Sequence, residues 1–171
     1  RLLIVLANAL VIPLLYAISL KLTGSKNTSF LAAALLAFSP MHIVVSSHVA
    51  WSASLMPLFL TATLYAVLKA LESGKRSYWL AAGVSLGLSL QSHPSVLASY
   101  AGLLPALHMY LGRGFTHDLL RNFKYLLLGF LVGYVNMVIY NIIVPLGSLT
   151  FMFHAKWTGL SGGLTLPIYI K

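Results

Sequence analysis

The quartet Gln91-Ser92-His93-Pro94 stands inside an uncharged run, Ser77–Gly112, and joins a titratable ring to a helix breaker. Proline fixes its own φ and biases the preceding residue away from the α region, so His93-Pro94 predicts the end of one helix and the start of the next. Such a bend exposes the imidazole and nearby carbonyls. A neutral imidazole there can donate a hydrogen bond to a phosphate or a sugar hydroxyl; the plainer alternative is a turn histidine satisfied by a backbone carbonyl. A second polar turn, "SSHVAWSAS" at 46–54, carries His48 and Trp51. An aromatic ring beside a histidine suits a sugar face or a lipid-linked ligand, and equally an interfacial anchor. Gln91 extends the first turn, Asn141 in "YNIIVP" is a candidate cavity-lining amide, and Lys156 beside Trp157 can pair with a lipid phosphate.

What these turns lack is equally informative. The chain has two acidic residues, Glu72 and Asp118, and both fall in connections away from the polar turns. General-base catalysis needs a positioned group of suitable pKa, usually His, Asp or Glu. Either a histidine serves, or the base lies outside these 171 residues, or there is no chemistry. No catalytic residue is assigned within them. The six histidines show no HExxH-type pairing and there is no cysteine, so no metal site is indicated and the cofactor requirement stays open.

The elements that must position these residues follow from composition. At 59% hydrophobic and 8% charged, with a mean hydropathy of +0.90, the chain has too little polar surface for a soluble globule. It reads as an all-α, polytopic, integral membrane protein. A bilayer core needs roughly 20 apolar helical residues per crossing. The uncharged runs Asn27–Leu68, Ser77–Gly112 and Tyr125–Ala155 divide accordingly into about six transmembrane helices, near 2–20, 29–47, 55–71, 78–92, 95–111 and 123–145. Residues 1–146 form the expected membrane core and 147–171 a Gly-rich tail. The chain opens on Arg1 with no initiator Met or signal peptide, which reads as an internal piece of a longer polytopic protein.

With six spans the connections alternate between two sides. Lys21, Lys26, Lys69, Lys75, Arg76, Arg113, Arg121 and Lys124 fall on one, and Arg1, Lys156 and Lys171 on the other. By the positive-inside rule the first side is cytoplasmic, with Tyr78, Trp79, Tyr110 and Tyr125 as aromatic anchors. The net charge of +9 is dispersed between apolar runs, which favours anionic membrane lipids over nucleic acid as the partner. Both polar turns and the tail then face outward. The fourth span is short for a bilayer, so Gln91 and His93 end below the outer surface, where polar groups are tolerated beside protein or a water-filled cavity.

Gly83/Gly87 and Gly129/Gly133 are GxxxG pairs and predict close helix packing. The segments "LAAALLAFSPMH" (31–42) and "LAAGVSLGLSLQSHP" (80–94) echo one another, both starting Leu-Ala-Ala and ending with Pro and His.

The order "RLLIVLANALVIPLLYAISLKLTG", "FLAAALLAFSPMHIVVSSH", "LYAVLKALESGKRSYWLAAGVSLGLSLQSHPS" and "LLLGFLVGYVNMVIYN" resembles the membrane core of glycosyltransferase family 39. That family includes the protein O-mannosyltransferases and the bacterial aminoarabinose transferases of lipid A, in the GT-C superfold. The resemblance implies a membrane glycosyltransferase moving a sugar from a polyprenyl-phosphate donor to a protein, lipid or glycan acceptor on the extracytoplasmic face. It also implies a catalytic aspartate in an outer loop just before Arg1, and Arg1 itself near the donor phosphate. Two departures stand out: many members have an Asp in the turn matching 46–54, and many have a Lys where this chain has His93. The rival reading is a transporter or flippase subunit with an outward-facing polar cavity, since a short span broken at membrane depth is also what a substrate-binding transporter helix looks like. A purely structural membrane subunit is the third.

Overall fold

Pro13 sets the first break in the chain. It lacks an N–H and its ring crowds the carbonyl four residues back, at Ala9. In the computed structural model, which describes residues 2–47 and 52–148, α1 (Leu2–Ala9) accordingly gives way at Leu10 to α2 (Val11–Thr23). Pro40 does the same to the second apolar segment. α3 (Lys26–Ala37) stops before Ser39-Pro40, and α4 (Pro40–Ser47) restarts with Ser39 accepting from the His42 N–H at 3.4 Å. The two helices meet at 56°, where a single span over 29–47 is the sequence expectation. A short 3₁₀ turn (Ser52–Leu55) leads to α5 (Met56–Ser73), α6 (Arg76–Ser92), α7 (Val96–Leu111), α8 (Arg113–Gly133) and α9 (Val135–Ile143).

The chain divides into two compact units, residues 1–134 and 135–171. In the first, two hairpins are closed by the same turn. Thr23-Gly24 ends α2 and Ser73-Gly74 ends α5, with both glycines left-handed at φ 67° and 65°. Each preceding hydroxyl donates to the carbonyl four residues back, Ser19 at 2.8 Å and Lys69 at 2.7 Å. Each also accepts from the N–H two residues on, Ser25 at 3.2 Å and Lys75 at 3.3 Å. The side chain thus occupies donors and acceptors that a helix end leaves open, and glycine supplies the reversal at no Cβ cost. The two segments that echo in sequence start on α3 and α6, the second helix of each hairpin, and the first runs on through the break into α4.

The centre of this unit is α6 laid against α5 and α8. Ala66, Val67, Ala70, Trp79, Ala82, Leu107 and Phe115 form the buried core. The two GxxxG pairs face one another backbone to backbone: a Cβ at Gly87 would lie 2.6 Å from the Phe130 carbonyl oxygen, and one at Gly133 would lie 2.9 Å from the Val84 carbonyl carbon. Neither distance is open to a real side chain. Without side chains between them the helices gain continuous backbone contact, the interaction that holds helices together in lipid.

Three features differ from the sequence reading. Trp79 is 1% exposed, packed in the core rather than standing as an interfacial anchor. Residues 113–122 belong to α8 rather than to a connection, because Phe115 and Leu119, one turn apart, pack the start of that helix onto the core. By length and apolarity, one helix among the described residues is able to cross a membrane, Leu2–Thr23 taken through its break, or up to three when each bent pair counts as one span. That measure counts fewer than the expected six. α5 ends in Lys69 and Glu72, α6 begins with Arg76 and is rich in Gly and Ser, and α7 has 16 residues. Phe30, Leu31 and Leu35 on α3 and Leu127, Leu128 and Leu131 on α8 remain exposed, apolar faces suited to lipid.

In the second unit α9 is followed by a turn in which the Asn141 side chain binds Ser148.

Candidate functional site

His93 closes α6 in extended conformation, φ −161° and ψ 129°, its N–H donating to Ser89 at 3.1 Å and its carbonyl accepting from Val96 at 3.2 Å. With its backbone groups occupied, the imidazole is left to the side chains around it. The Ser95 backbone N–H donates to Nδ1 at 3.2 Å, which makes Nδ1 an acceptor. The Ser95 hydroxyl lies 2.6 Å from the same nitrogen and 3.8 Å from Met56 Sδ. A hydroxyl has one proton, and the shorter contact to the stronger acceptor takes it. Two donors on Nδ1 leave the ring proton to Nε2, and the residue is exposed. The expected turn histidine is therefore satisfied, by serine rather than by a carbonyl, and retains one N–H donor.

Beneath this turn runs a polar bridge that sequence reasoning missed. Tyr100 on α7 donates to Thr63 Oγ1 on α5 at 3.1 Å and lies 3.0 Å from Ser89 Oγ on α6. Thr63 and Ser89 each donate to a carbonyl of their own helix, Phe59 at 2.8 Å and Leu86 at 2.7 Å. All three residues are buried. Each type is ordinary in an apolar helix, and only their convergence marks them. The bridge fixes the height of α7 against α5 and α6, and so fixes the His-Pro turn between them.

Gln91 is half-buried on the last turn of α6, two residues from His93. Asn141 is drawn into its own turn: Nδ2 donates to the Met137 carbonyl at 2.7 Å, and Oδ1 accepts from the Ser148 N–H at 3.1 Å and its hydroxyl at 2.9 Å. Among the described residues one N–H of its amide has no partner. Arg1, His48, Trp51 and Lys156 lie outside the described residues.

Two further polar groups escaped notice. Asn8 on α1 is fully buried; its Nδ2 donates to the Ile4 carbonyl at 3.1 Å while Oδ1 has no partner among the described residues. The Ser46 hydroxyl, in the second polar turn, is likewise buried without one. An unsatisfied acceptor in an apolar setting costs free energy, so such atoms mark places where a hydroxyl or water belongs. The signal in sequence was a lone Asn within "LLIVLANALVIP".

Both carboxylates sit at the other end of the helices. Glu72 pairs with Lys21 on α2 and with Lys69 at 3.1 Å. Tyr110 donates to the Leu22 carbonyl, and His108 meets Thr116 at 2.7 Å. These contacts gather the three Gly-containing connections at one end, separated from His93 by the 17 residues of α6, about 25 Å of helix. Among the described residues no three His, Cys, Asp or Glu side chains come together. Glu72 and Asp118 both lie away from it, so the His93 turn can donate a hydrogen bond, and general-base catalysis by Asp or Glu has no source in it.

A family model described as dolichyl-phosphate-mannose-protein mannosyltransferase matches residues 1–140. No curated protein and no solved structure matches the chain.

Proposed function

The chain belongs to the dolichyl-phosphate-mannose-protein mannosyltransferase family, and from that premise we propose that it serves a membrane enzyme that moves a sugar from a polyprenyl-phosphate donor to an acceptor on the extracytoplasmic face. Membership carries the reading, since the match runs across all the helices of the first unit. The gathering of basic connections at the end of α6 opposite His93 supports the orientation.

The reaction in this reading is an inverting transfer. A carboxylate takes the proton from an acceptor hydroxyl, the oxygen attacks the anomeric carbon, and the bond from that carbon to the phosphate oxygen breaks, releasing polyprenyl phosphate. Charge develops on the leaving phosphate, and donors aimed at it lower the barrier. Arg1 and Lys156 supply cations, and His93 supplies the Nε2–H that Ser95 leaves free. His48, Trp51 and Gln91 are the candidates for contacts to the sugar. Glu72 and Asp118 are the only acids of this sequence and sit at the opposite end, so neither is the base of this mechanism.

The test is transfer from a polyprenyl-phosphate-linked mannose by the full-length protein carrying His93→Ala or Arg1→Ala. Loss of kcat at least tenfold for Arg1→Ala, with a smaller loss for His93→Ala, is expected; unchanged rates in both remove this site. The 56° break between α3 and α4 also suits a transporter. Movement of the lipid-linked sugar across vesicles without transfer to an acceptor would favour that reading.

A further inference from the structure

At the Arg76 end of α6 the first unit holds a cavity of 490 Å³, walled by the α5–α6 turn and α8. Arg76, Arg121 and Lys124 line it together with Trp79, Tyr125 and a single carboxylate, Asp118. The Arg76 guanidinium lies 5.3 Å from the centre of the Tyr125 ring and the Lys124 ammonium 5.2 Å from it, so two helices bring cations to one aromatic ring. The ring attracts both but neutralises neither. Among the described residues the ion pairs are those of Glu72 with Lys21 and Lys69, while Asp118 Oδ1 lies 3.8 Å from His117 Nδ1. None of the three cavity cations has a carboxylate of its own.

Two further observations say what belongs there. α6 begins at Arg76 with no side-chain cap on its first turn, so the positive end of a helix dipole meets the same cavity. Along α8 the charges run from Arg113 to Lys124 and then stop. From Tyr125 onward the helix is uncharged, and Leu127, Leu128 and Leu131 are exposed. The cavity thus opens where the surface changes from charged to hydrocarbon-facing, the level at which lipid headgroups sit.

We propose that this cavity binds the phosphate of an anionic phospholipid headgroup, with Arg76 held from α6 and Arg121 and Lys124 from α8 around it. Guanidinium groups match phosphate oxygens in pairs, and the ammonium adds a point charge. The site goes beyond sugar transfer and needs nothing from it, since it lies a helix length from His93. A soluble phosphate would meet the same three cations, so the experiment separates the two sources.

The full-length protein in detergent is melted with short-chain phosphatidylglycerol, with phosphatidylcholine of the same chain length, or with inorganic phosphate. Phosphatidylglycerol is expected to raise the melting temperature. Arg121→Gln/Lys124→Gln should need at least tenfold more of it for the same rise, while Arg113→Gln, on α8 but off the cavity, should not. A rise reproduced by inorganic phosphate and lost in the double variant keeps the site and assigns a soluble source. An equal rise with phosphatidylcholine, or an equal response of the double variant and Arg113→Gln, overturns the proposal. Should the double variant aggregate on gel filtration, Arg76→Gln on the facing wall carries the same expectation.

Discussion

The hydroxyl of Tyr100 donates across 3.1 Å to that of Thr63, 37 positions earlier in the chain, and so joins α7 to α5. Removing it with Tyr100→Phe leaves Thr63 and Ser89 with their own helix carbonyls and deletes the link between α5, α6 and α7. The expected destabilisation is about 0.6–1.7 kcal/mol, the range for hydrogen bonds between membrane helices. Equilibrium unfolding of the full-length protein in mixed micelles measures it, and an unchanged stability would show that the bridge carries no net weight.

Close backbone approach makes a sharper prediction at glycine. Gly87→Ala puts a methyl 2.6 Å from the Phe130 carbonyl oxygen, and the helices must part to admit it. Overpacking of this kind costs about 1–3 kcal/mol. Gly102→Ala on α7 meets nothing within 4 Å and, by helix propensity, should be neutral or stabilise by up to about 1 kcal/mol. Thermal melts of the two variants side by side separate packing from propensity; equal shifts would contradict the α6–α8 contact.

Glu72 governs an acid-sensitive tie between α2 and α5. Its carboxyl is held below the ordinary value of 4.5, first by the hydrogen bond from Lys21 and then by that from Lys69. A lowered folded-state pKa contributes stability in full above the ordinary value and loses it as pH falls through the folded-state value. The melting temperature of the parent should therefore exceed that of Glu72→Gln at pH 7, and the gap should close as the pH drops below 4.5. The gap is expected to be small and to shrink in high salt, because the Glu72 side chain is 58% exposed. A gap that grows toward low pH would contradict this linkage.

What sequence alone determined follows from rules that act on single residues and near neighbours. Apolar composition made the chain a membrane protein of the family its motif order resembles. Pro94 ended a helix at His93, and paired glycines called for close packing; each is local sterics or a transfer free energy, readable without coordinates. Tertiary structure decided the rest, because it depends on residues far apart in the chain. Trp79 reads as an anchor until Ala66, Ala70 and Phe115 surround it. That Ser148 of the following turn takes the oxygen of Asn141 is visible only once the turn is formed. Tyr100, Thr63 and Ser89 are unremarkable in three separate helices and become a bridge where those helices meet. The same holds for Arg76 and Lys124, whose shared ring exists only because the GxxxG pairs bring α6 and α8 into backbone contact. Burial and hydrogen bonding are properties of a neighbourhood, and the neighbourhood is formed by the fold.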